Sequence, residues 1–233
     1  MSKFYGIGVG PGNPELLTLK AVRIFQEIHV LIVPYGGHEG ESEALNIVSS
    51  HIPSHVVIQR RHFPMTRDKS LKEAAWESIA DEIASYVKDG QNVGFITLGD
   101  PMLYSTYGYL VTRLSKRLEI VTVPGISAYS AIASGFNLIL AEGDTPLIIY
   151  PCVESMDAIE KCLSEHDSIV LMKVYRSFET VKALINKLEL TECALVVSDY
   201  GRPSEVHFTD INAVDTKTLS YFTTIIINKR WVR

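Results

Sequence analysis

Short apolar runs alternate along the chain with longer segments in which apolar residues recur every three or four positions. The run Val30–Val33 contains no polar residue, which is typical of a strand that is buried on both faces. Residues Ser70–Lys88 favour an amphipathic helix, and its apolar face is predicted to consist of Leu71, Ala75, Ile79, Ile83 and Val87. The alternation of the two patterns predicts an α/β fold.

Turn and capping residues divide the chain into predicted elements. The predicted strands cover 4–8, 30–33, a segment from 56, a segment before 99, a segment ending at 123, 147–150, 168–174, 194–198, 206–208 and 221–228. The predicted helices cover 14–28, 42–50, 70–88, 105–116, 127–134, 155–165 and 178–188. The last two strands have no helix between them, which favours antiparallel pairing and therefore a mixed sheet.

A linker is predicted between residues 135 and 146, where Gly143, Asp144 and Pro146 interrupt the periodic pattern. We therefore expect two α/β domains with mixed sheets, an N-terminal domain of residues 1–138 and a C-terminal domain of residues 143–233. Ligands often bind in the cleft between two domains, so a cofactor cleft is expected there.

Charge and composition narrow the range of functions. The net charge of −5 argues against non-specific binding of nucleic acid. No apolar run reaches the roughly 18 residues of a membrane span, and no signal peptide is evident at the start of the chain. Three scattered cysteines fit a reducing cytoplasm, and the seven histidines lack metal-ligand spacing. We expect a cytoplasmic protein with no nucleic-acid partner, no membrane partner and no metal of its own.

A Gly99-Asp100-Pro101 turn follows a predicted buried strand. A glycine lets the backbone pass close to a ligand, and a carboxylate at the carboxyl end of a strand lies where open α/β sheets bind small molecules. The hydroxyl residues that follow, Ser105 and Thr106, are candidate caps for the next helix. On its own, such a turn is equally consistent with a purely structural role.

A second glycine-rich segment, Tyr5–Thr18, follows the first predicted strand. It is not a dinucleotide fingerprint, because the third glycine of that motif is replaced by Pro11 in one register and by Asn13 in the other. The lysine of a phosphate-binding P-loop is also missing. The loop therefore brings backbone near a ligand without the pattern that binds pyrophosphate.

A third turn, Val121–Ala128, again reads as strand, tight turn and helix start. Together, Gly-Ile-Gly-Val-Gly-Pro-Gly, Gly-Asp-Pro-x-x-Tyr-Ser and Val-Pro-Gly-Ile-Ser-Ala, in this order, resemble the tetrapyrrole methylase family. The resemblance extends over essentially the whole chain, since Leu171–Lys173 and Thr223–Ile227 also fit the family. It implies that the chain uses S-adenosylmethionine as its cofactor, methylates a tetrapyrrole and forms a homodimer.

The resemblance also implies a set of cofactor contacts. The carboxylate of Asp100 is expected to bind the cofactor's ammonium group. The complete expected set is Pro11, Leu98, Gly99, Asp100, Leu103, Ser105, Thr106, Ser127, Ala128, Met172, Tyr200, Thr223 and Thr224. No catalytic acid, base or nucleophile is assigned, since methyl transfer from a sulfonium depends mainly on positioning.

A tetrapyrrole carries many carboxylates, so basic side chains are expected to bind it. The candidates are Arg60, Arg61, Arg67, Arg176 and Arg202. A solvated charged surface is an equally good interpretation of these arginines. Within the family, the residues after Asp100 resemble the branch that methylates the C-20 bridge carbon. Its substrate is cobalt-factor II, which carries its own cobalt, or the metal-free precorrin-2, and overall similarity favours cobalt-factor II.

Other functions remain open at this stage. Enzymes of the sirohaem branch, and methylases of ribosomal RNA or of a modified protein histidine, share the fold. The acidic charge and the lack of a basic stripe count against an RNA substrate. A non-catalytic nucleotide-binding module is the alternative from a different class, and it would need the phosphate-binding glycine pattern that both registers lack.

Overall fold

The computed structural model describes residues 1–36, 42–66, 68–152 and 155–231. Its strands are β1 Phe4–Gly8, β2 Val30–Tyr35, β3 Val57–His62, β4 Val93–Thr97, β5 Ile120–Val123, β6 Leu147–Pro151, β7 Ser168–Met172, β8 Ala194–Ser198, β9 Val206–Phe208 and β10 Thr224–Asn228. Its α-helices are α1 Leu19–Phe25, α2 Glu43–Val48, α3 Lys69–Lys88, α4 Tyr107–Leu114, α5 Ala128–Gly135, α6 Met156–Glu165 and α7 Phe178–Lys187.

The chain forms two compact units, Met1–Ser127 and Ala128–Arg233. Helix α5 belongs to the second unit, where Ile132 packs with Val170 and Ile226 of the sheet. The predicted domain bounds, 1–138 and 143–233, place α5 in the first domain instead. As bounds of functional domains, these two ranges stay a prediction.

The sheet of the first unit has the order β3-β2-β4-β1-β5, and all of its described pairings are parallel. Helices α1 and α2 cover one face, and α3 and α4 cover the other. Adjacent residues of a strand point to opposite faces, so Phe4 and Phe95 pack against α3 and α4, while Ile7 and Ile96 pack against α1 and α2. Coverage of both faces accounts for the uninterrupted apolar strands.

Strands β1 and β4 lie side by side at the centre of this sheet. The chain leaves β1 towards β2 on one side, and it leaves β4 towards β5 on the other. Because the order reverses here, a crevice is expected at the carboxyl ends of β1 and β4, which is where open α/β sheets bind ligands.

The second sheet has the order β6-β7-β10-β8-β9. Strands β6 and β7 pair in parallel, whereas β10 runs antiparallel to both β7 and β8, and β9 antiparallel to β8. The two-sheet α/β architecture is thus confirmed, but mixed pairing is found only in the second of the two described sheets. The last two strands are each antiparallel to β8, which lies between them, and do not pair with each other as the sequence suggests. Helices α6 and α7 contribute to the larger apolar cluster of this unit.

Helix α3 begins one residue before its predicted start, and its buried face matches the predicted one only in part, at Ile79 and Ile83. The buried side chains are Trp76, Ile79, Ala80 and Ile83. Leu71 is instead 58% exposed. A constant spacing of four drifts around a helix of 3.6 residues per turn, whereas alternating spacings of three and four stay on one face.

The predicted helix 14–28 is interrupted. A 3₁₀ turn, Pro14–Leu16, is capped by Asn13, and a new helix starts at Leu19 with Thr18 as its N-cap. The Thr18 hydroxyl accepts a hydrogen bond from the Ala21 amide at 3.1 Å. Two capping residues five positions apart thus divide a segment whose apolar spacing alone favours a single helix.

We expect Ile83→Ala to lower the free energy of unfolding by about 2–5 kcal/mol, because it leaves a cavity in a fully buried site. The matched control, Leu71→Ala on the same helix, should change it by no more than about 0.5 kcal/mol. Urea unfolding followed by circular dichroism measures both. Equal losses in the two variants would contradict the assignment of the buried face.

Candidate functional site

The loops after β1, β4 and β5 meet at the carboxyl edge of the first sheet. Gly10 and Gly99 pair as an isolated antiparallel bridge, in which the Gly99 amide donates to the Gly10 carbonyl at 2.8 Å. The Gly10 amide donates to the Gly99 carbonyl at 3.4 Å. This bridge joins the glycine-rich loop to the Gly-Asp-Pro turn at the position where the strand order reverses.

Two of the glycines are required because the loops approach each other too closely for a side chain at these positions. A Cβ atom on Gly8 would lie 2.5 Å from the Gly125 nitrogen, and one on Gly125 would lie 2.1 Å from the Gly99 oxygen. Neither position admits a side chain, because both neighbours are backbone atoms. Gly8 and Gly125 therefore serve the close packing of the three loops.

Gly99 has a different role in the turn. Its φ of +62° lies in the left-handed region, and a Cβ atom there would have no neighbour within 4 Å. The conformation therefore requires glycine, while the space beside it is open. This is the geometry expected where backbone lies against a small ligand.

The carboxylate of Asp100 binds two backbone amides. Its Oδ1 atom accepts from the Met102 amide at 2.9 Å, and its Oδ2 atom accepts from the Gly125 amide at 3.1 Å. Asp100 thereby shapes its own turn and ties the β4 loop to the β5 loop. Two carboxylate oxygens offer about four acceptor positions, so a ligand ammonium group can still be bound.

Of the two hydroxyl residues after this turn, only Ser105 stabilises the start of α4 with its side chain. Ser105 Oγ accepts from the Tyr107 amide at 3.1 Å and lies 2.9 Å from Thr97 Oγ1. Thr106 occupies the N-cap position without a side-chain capping bond. Ser105 is thus engaged within the protein, and Thr106 is the hydroxyl that does not cap the helix.

Tyr104, the tyrosine of the Gly-Asp-Pro-x-x-Tyr-Ser motif, is a residue of this loop that was not among the expected cofactor contacts. Its φ is +52°, a strained conformation for a side chain of this size. The ring is 44% exposed, and partial burial raises the pKa of its hydroxyl. The neighbouring Leu103 is half-buried, while Pro11, in the glycine-rich loop, is buried.

The predicted residues Ser127 and Ala128 lie where the two units meet in the sequence. Ser127 is the last residue of the first unit, and Ala128 is the first residue of α5. Both are half-buried. They follow the β5 loop, whose Gly125 amide binds Asp100.

The second unit brings its predicted residues to one edge of its own sheet. Met172 ends β7 and is paired in register with Thr224, which begins β10. Tyr200 follows the end of β8, and both Met172 and Tyr200 pack, partly buried, on the apolar cluster that includes Ile132 and Val197. Met172, Tyr200 and Thr224 thus share one edge, although they are distant in sequence.

The two threonines are less available than the sequence suggests. Thr223 is 1% exposed and Thr224 is 3% exposed. The Thr223 hydroxyl lies 2.7 Å from the Ser220 carbonyl and 3.1 Å from Ser198 Oγ. Both residues, backbone included, therefore lie inside the unit.

Two of the predicted substrate-binding arginines are engaged with carboxylates. Arg61 forms a two-pronged ion pair with Glu82, whose hydrogen bonds raise the pKa of the guanidinium. Arg202 Nη1 donates to Asp199 at 3.3 Å, and its guanidinium lies 3.8 Å from the centre of the Phe222 ring. These contacts favour structural roles for both side chains.

The other basic candidates differ in placement. Arg60, on the edge strand β3, and Arg176, after β7, have exposed side chains. Arg67 lies outside the described residues. Among the candidates that the structure describes, Arg60 and Arg176 are the exposed ones.

A cavity of about 240 Å³ lies at the end of β10 opposite to Thr224. It is lined by residues such as Leu138, Asn228 and Trp231. Asn228 ends β10, whereas Thr224 begins it, so the strand separates the cavity from Met172 and Tyr200.

No group of three or more His, Cys, Asp or Glu residues in the described ranges is arranged to hold a metal ion. Within these ranges, no helix has the length and apolar character needed to cross a membrane. Cys152 and Cys162 are buried, and burial raises the pKa of Cys152 to about 12, so it is poorly suited to act as a nucleophile.

Comparisons with known proteins agree with this architecture. The chain is 39% identical over 232 residues to the cobalt-precorrin-2 C(20)-methyltransferase of Salmonella typhimurium, covering 98% of this chain and 97% of the relative. It is 32% identical over 220 residues to a probable cobalt-precorrin-2 C(20)-methyltransferase of Methanocaldococcus jannaschii, covering 91% and 93%.

A similar fold occurs in the crystal structure of uroporphyrin-III C-methyl transferase from Thermus thermophilus complexed with S-adenyl homocysteine. The TM-score is 0.67 at 21% identity, with 98% of each chain covered. The family model described as tetrapyrrole (corrin/porphyrin) methylases matches residues 3–214. The chain belongs to the tetrapyrrole methylase family, as the three glycine-containing turns predict.

Proposed function

We propose that the protein is an S-adenosylmethionine-dependent methyltransferase that methylates C-20 of cobalt-factor II, also called cobalt-precorrin-2, in anaerobic cobalamin biosynthesis. The observation that carries the proposal is the likeness, over nearly the full length of each chain, to two relatives named for this reaction. The loop junction at Gly10, Gly99 and Asp100 supplies a binding edge in the matching part of the fold.

The residues present fit this cofactor. Open space beside Gly99 gives its backbone access to a ligand, and Asp100 keeps acceptor positions for an ammonium group. In the second unit, the partly buried side chains of Met172 and Tyr200 suit an apolar and aromatic group such as adenine with its ribose. We propose that residues of both sets bind the cofactor.

When bound, S-adenosylmethionine supplies a methyl group that its sulfonium already activates. The protein's part is then to hold that group against an electron-rich bridge carbon, and positioning of this kind can lower a barrier by roughly 7–11 kcal/mol. The rigid loop junction suits this task, because Gly8, Gly125 and the Asp100 carboxylate fix three loops to one another. The exposed Arg60 and Arg176 are proposed to bind substrate carboxylates.

The direct test supplies S-adenosylmethionine with either cobalt-factor II or precorrin-2 under anaerobic conditions. We expect one methyl group to be added to cobalt-factor II, detected by product mass and absorption spectrum. Faster turnover of precorrin-2 would favour the metal-free route instead. Transfer of label only to RNA or protein would contradict a tetrapyrrole substrate.

We expect Asp100→Asn to weaken binding of S-adenosylhomocysteine by one to two powers of ten. It removes a charge-assisted hydrogen bond that contributes about 1.5–3 kcal/mol. The asparagine oxygen can keep the bond from the Met102 amide, but its NH₂ group cannot accept from Gly125. The melting temperature should therefore fall as well, and calorimetric titration below that temperature isolates affinity.

The matched control for this variant is Asp210→Asn. Asp210 accepts from the amide two residues further along, at 2.8 Å, as Asp100 does, but its side chain is exposed in the second unit after β9. Its substitution should leave the affinity unchanged. If Asp100→Asn lowers the melting temperature without changing affinity, Asp100 is a structural turn residue and does not bind the ammonium group.

We propose a homodimer, which the family resemblance implies. The exposed edge strand β3 supports it, since Val57 is 52% exposed and Ile58 is 41% exposed, and such edges are usually covered. Light scattering at micromolar concentration should give twice the chain mass of 26.0 kDa. A mass of one chain across a dilution series would contradict the dimer.

A cytoplasmic location is likewise a prediction.

A further inference from the structure

A buried carboxylate, Asp199, follows the last residue of β8 and lies next to Tyr200. The residue is 8% exposed, and its φ of +56° places it in the left-handed region. Burial of a charge and a left-handed backbone are each unfavourable for an aspartate, so both persist only where surrounding contacts stabilise them. Neither feature is needed to continue the strand, which ends at Ser198.

The Asp199 carboxylate is the end point of a hydrogen-bonded chain. Ser220 Oγ donates to its Oδ1 atom at 2.8 Å, and Arg202 Nη1 donates to the same oxygen at 3.3 Å. Ser198 Oγ donates to Ser220 Oγ at 3.2 Å, and Thr223 Oγ1 lies 3.1 Å from Ser198 Oγ. A carboxylate only accepts, so it fixes the direction in which Ser220 and, through it, Ser198 donate, whereas the Thr223 hydroxyl donates to the Ser220 carbonyl at 2.7 Å.

This chain joins two segments beyond the point where their backbone ladder ends. The ladder between β8 and β10 runs from the pair formed by Ala194 and Ile227 to the pair formed by Val197 and Thr224. Past that last pair, side-chain bonds from Ser220 connect the two segments instead. The carboxylate therefore ties the segment that carries Tyr200 to the turn at Ser220, which leads into Thr224.

Tyr200 is also held at the far end of its ring. A Cβ atom on Gly135 would lie 2.2 Å from the Tyr200 hydroxyl oxygen, so the ring tip rests against the backbone of α5. Asp199 fixes the backbone of the neighbouring residue, and α5 limits the ring. Together they leave Tyr200 little freedom.

We propose that Asp199 is a positioning residue for the cofactor: it holds Tyr200, and the turn that leads into Thr224, in the arrangement that binds S-adenosylmethionine. This inference rests on the proposed function. Asp199 acts through its neighbours and does not touch the cofactor itself. The Ser220 hydroxyl transmits the effect to the turn that leads into β10.

The test is a double-mutant cycle on affinity for S-adenosylhomocysteine, measured by calorimetry well below the unfolding temperature. We expect Asp199→Asn to weaken binding roughly tenfold. In a protein that already carries Tyr200→Ala, the same substitution should weaken binding far less, because the effects of substitutions at interacting residues do not add. Ser220→Ala, which keeps the carboxylate and removes its hydroxyl donor, should act in the same direction and replaces Asp199→Asn if that variant fails to fold.

The control is Asp167→Asn, since Asp167 also pairs with an arginine, Arg230 at 3.4 Å, at the opposite edge of the same sheet. It should leave affinity unchanged. Unchanged affinity in Asp199→Asn and Ser220→Ala with lower melting temperatures would overturn the inference, as would losses that add independently to that of Tyr200→Ala. Failure of the unmodified protein to bind S-adenosylhomocysteine would overturn the proposed function and the inference with it.

Discussion

The hydrogen bond from the Gly125 amide to the Asp100 carboxylate is the contact on which the binding edge of the first unit depends. It joins the loops of β4 and β5, while the Gly10–Gly99 bridge joins those of β1 and β4. Three separate segments thereby act as one rigid surface. Glycine is required at Gly8 and Gly125 because the loops approach more closely than any side chain allows.

Most strands were predictable from the sequence, because short runs rich in β-branched and aromatic residues between turn residues are typical of strands. The strands at 4–8, 194–198 and 206–208 have the predicted bounds. Helix faces were less predictable. Leu71 satisfies a spacing of four but is exposed, since the neighbours of a helix decide which of several apolar stripes is buried.

The sequence predicted the turns that form the candidate site, but it did not predict the hydrogen bonds and ion pairs that their side chains make. The sequence placed Gly99 and Asp100 correctly at the carboxyl end of a strand, and the pairing of Met172 with Thr224 brings two distant predictions together. It did not indicate that Arg61 pairs with Glu82, or that the Thr223 hydroxyl bonds inside the unit. Such partners depend on packing between elements, which periodicity does not describe.

The central position of β1 constrains how the chain folds during its synthesis. Phe4 pairs with Val93 on one side and with Ile120 on the other, so β1 must wait until both of these later segments have been synthesised before both of its edges are covered. Contacts of such long sequence separation slow folding and leave an apolar strand open to aggregation. The strand order that places β1 beside β4 at the centre of the sheet therefore also leaves the edges of β1 unpaired until β4 and β5 have been made.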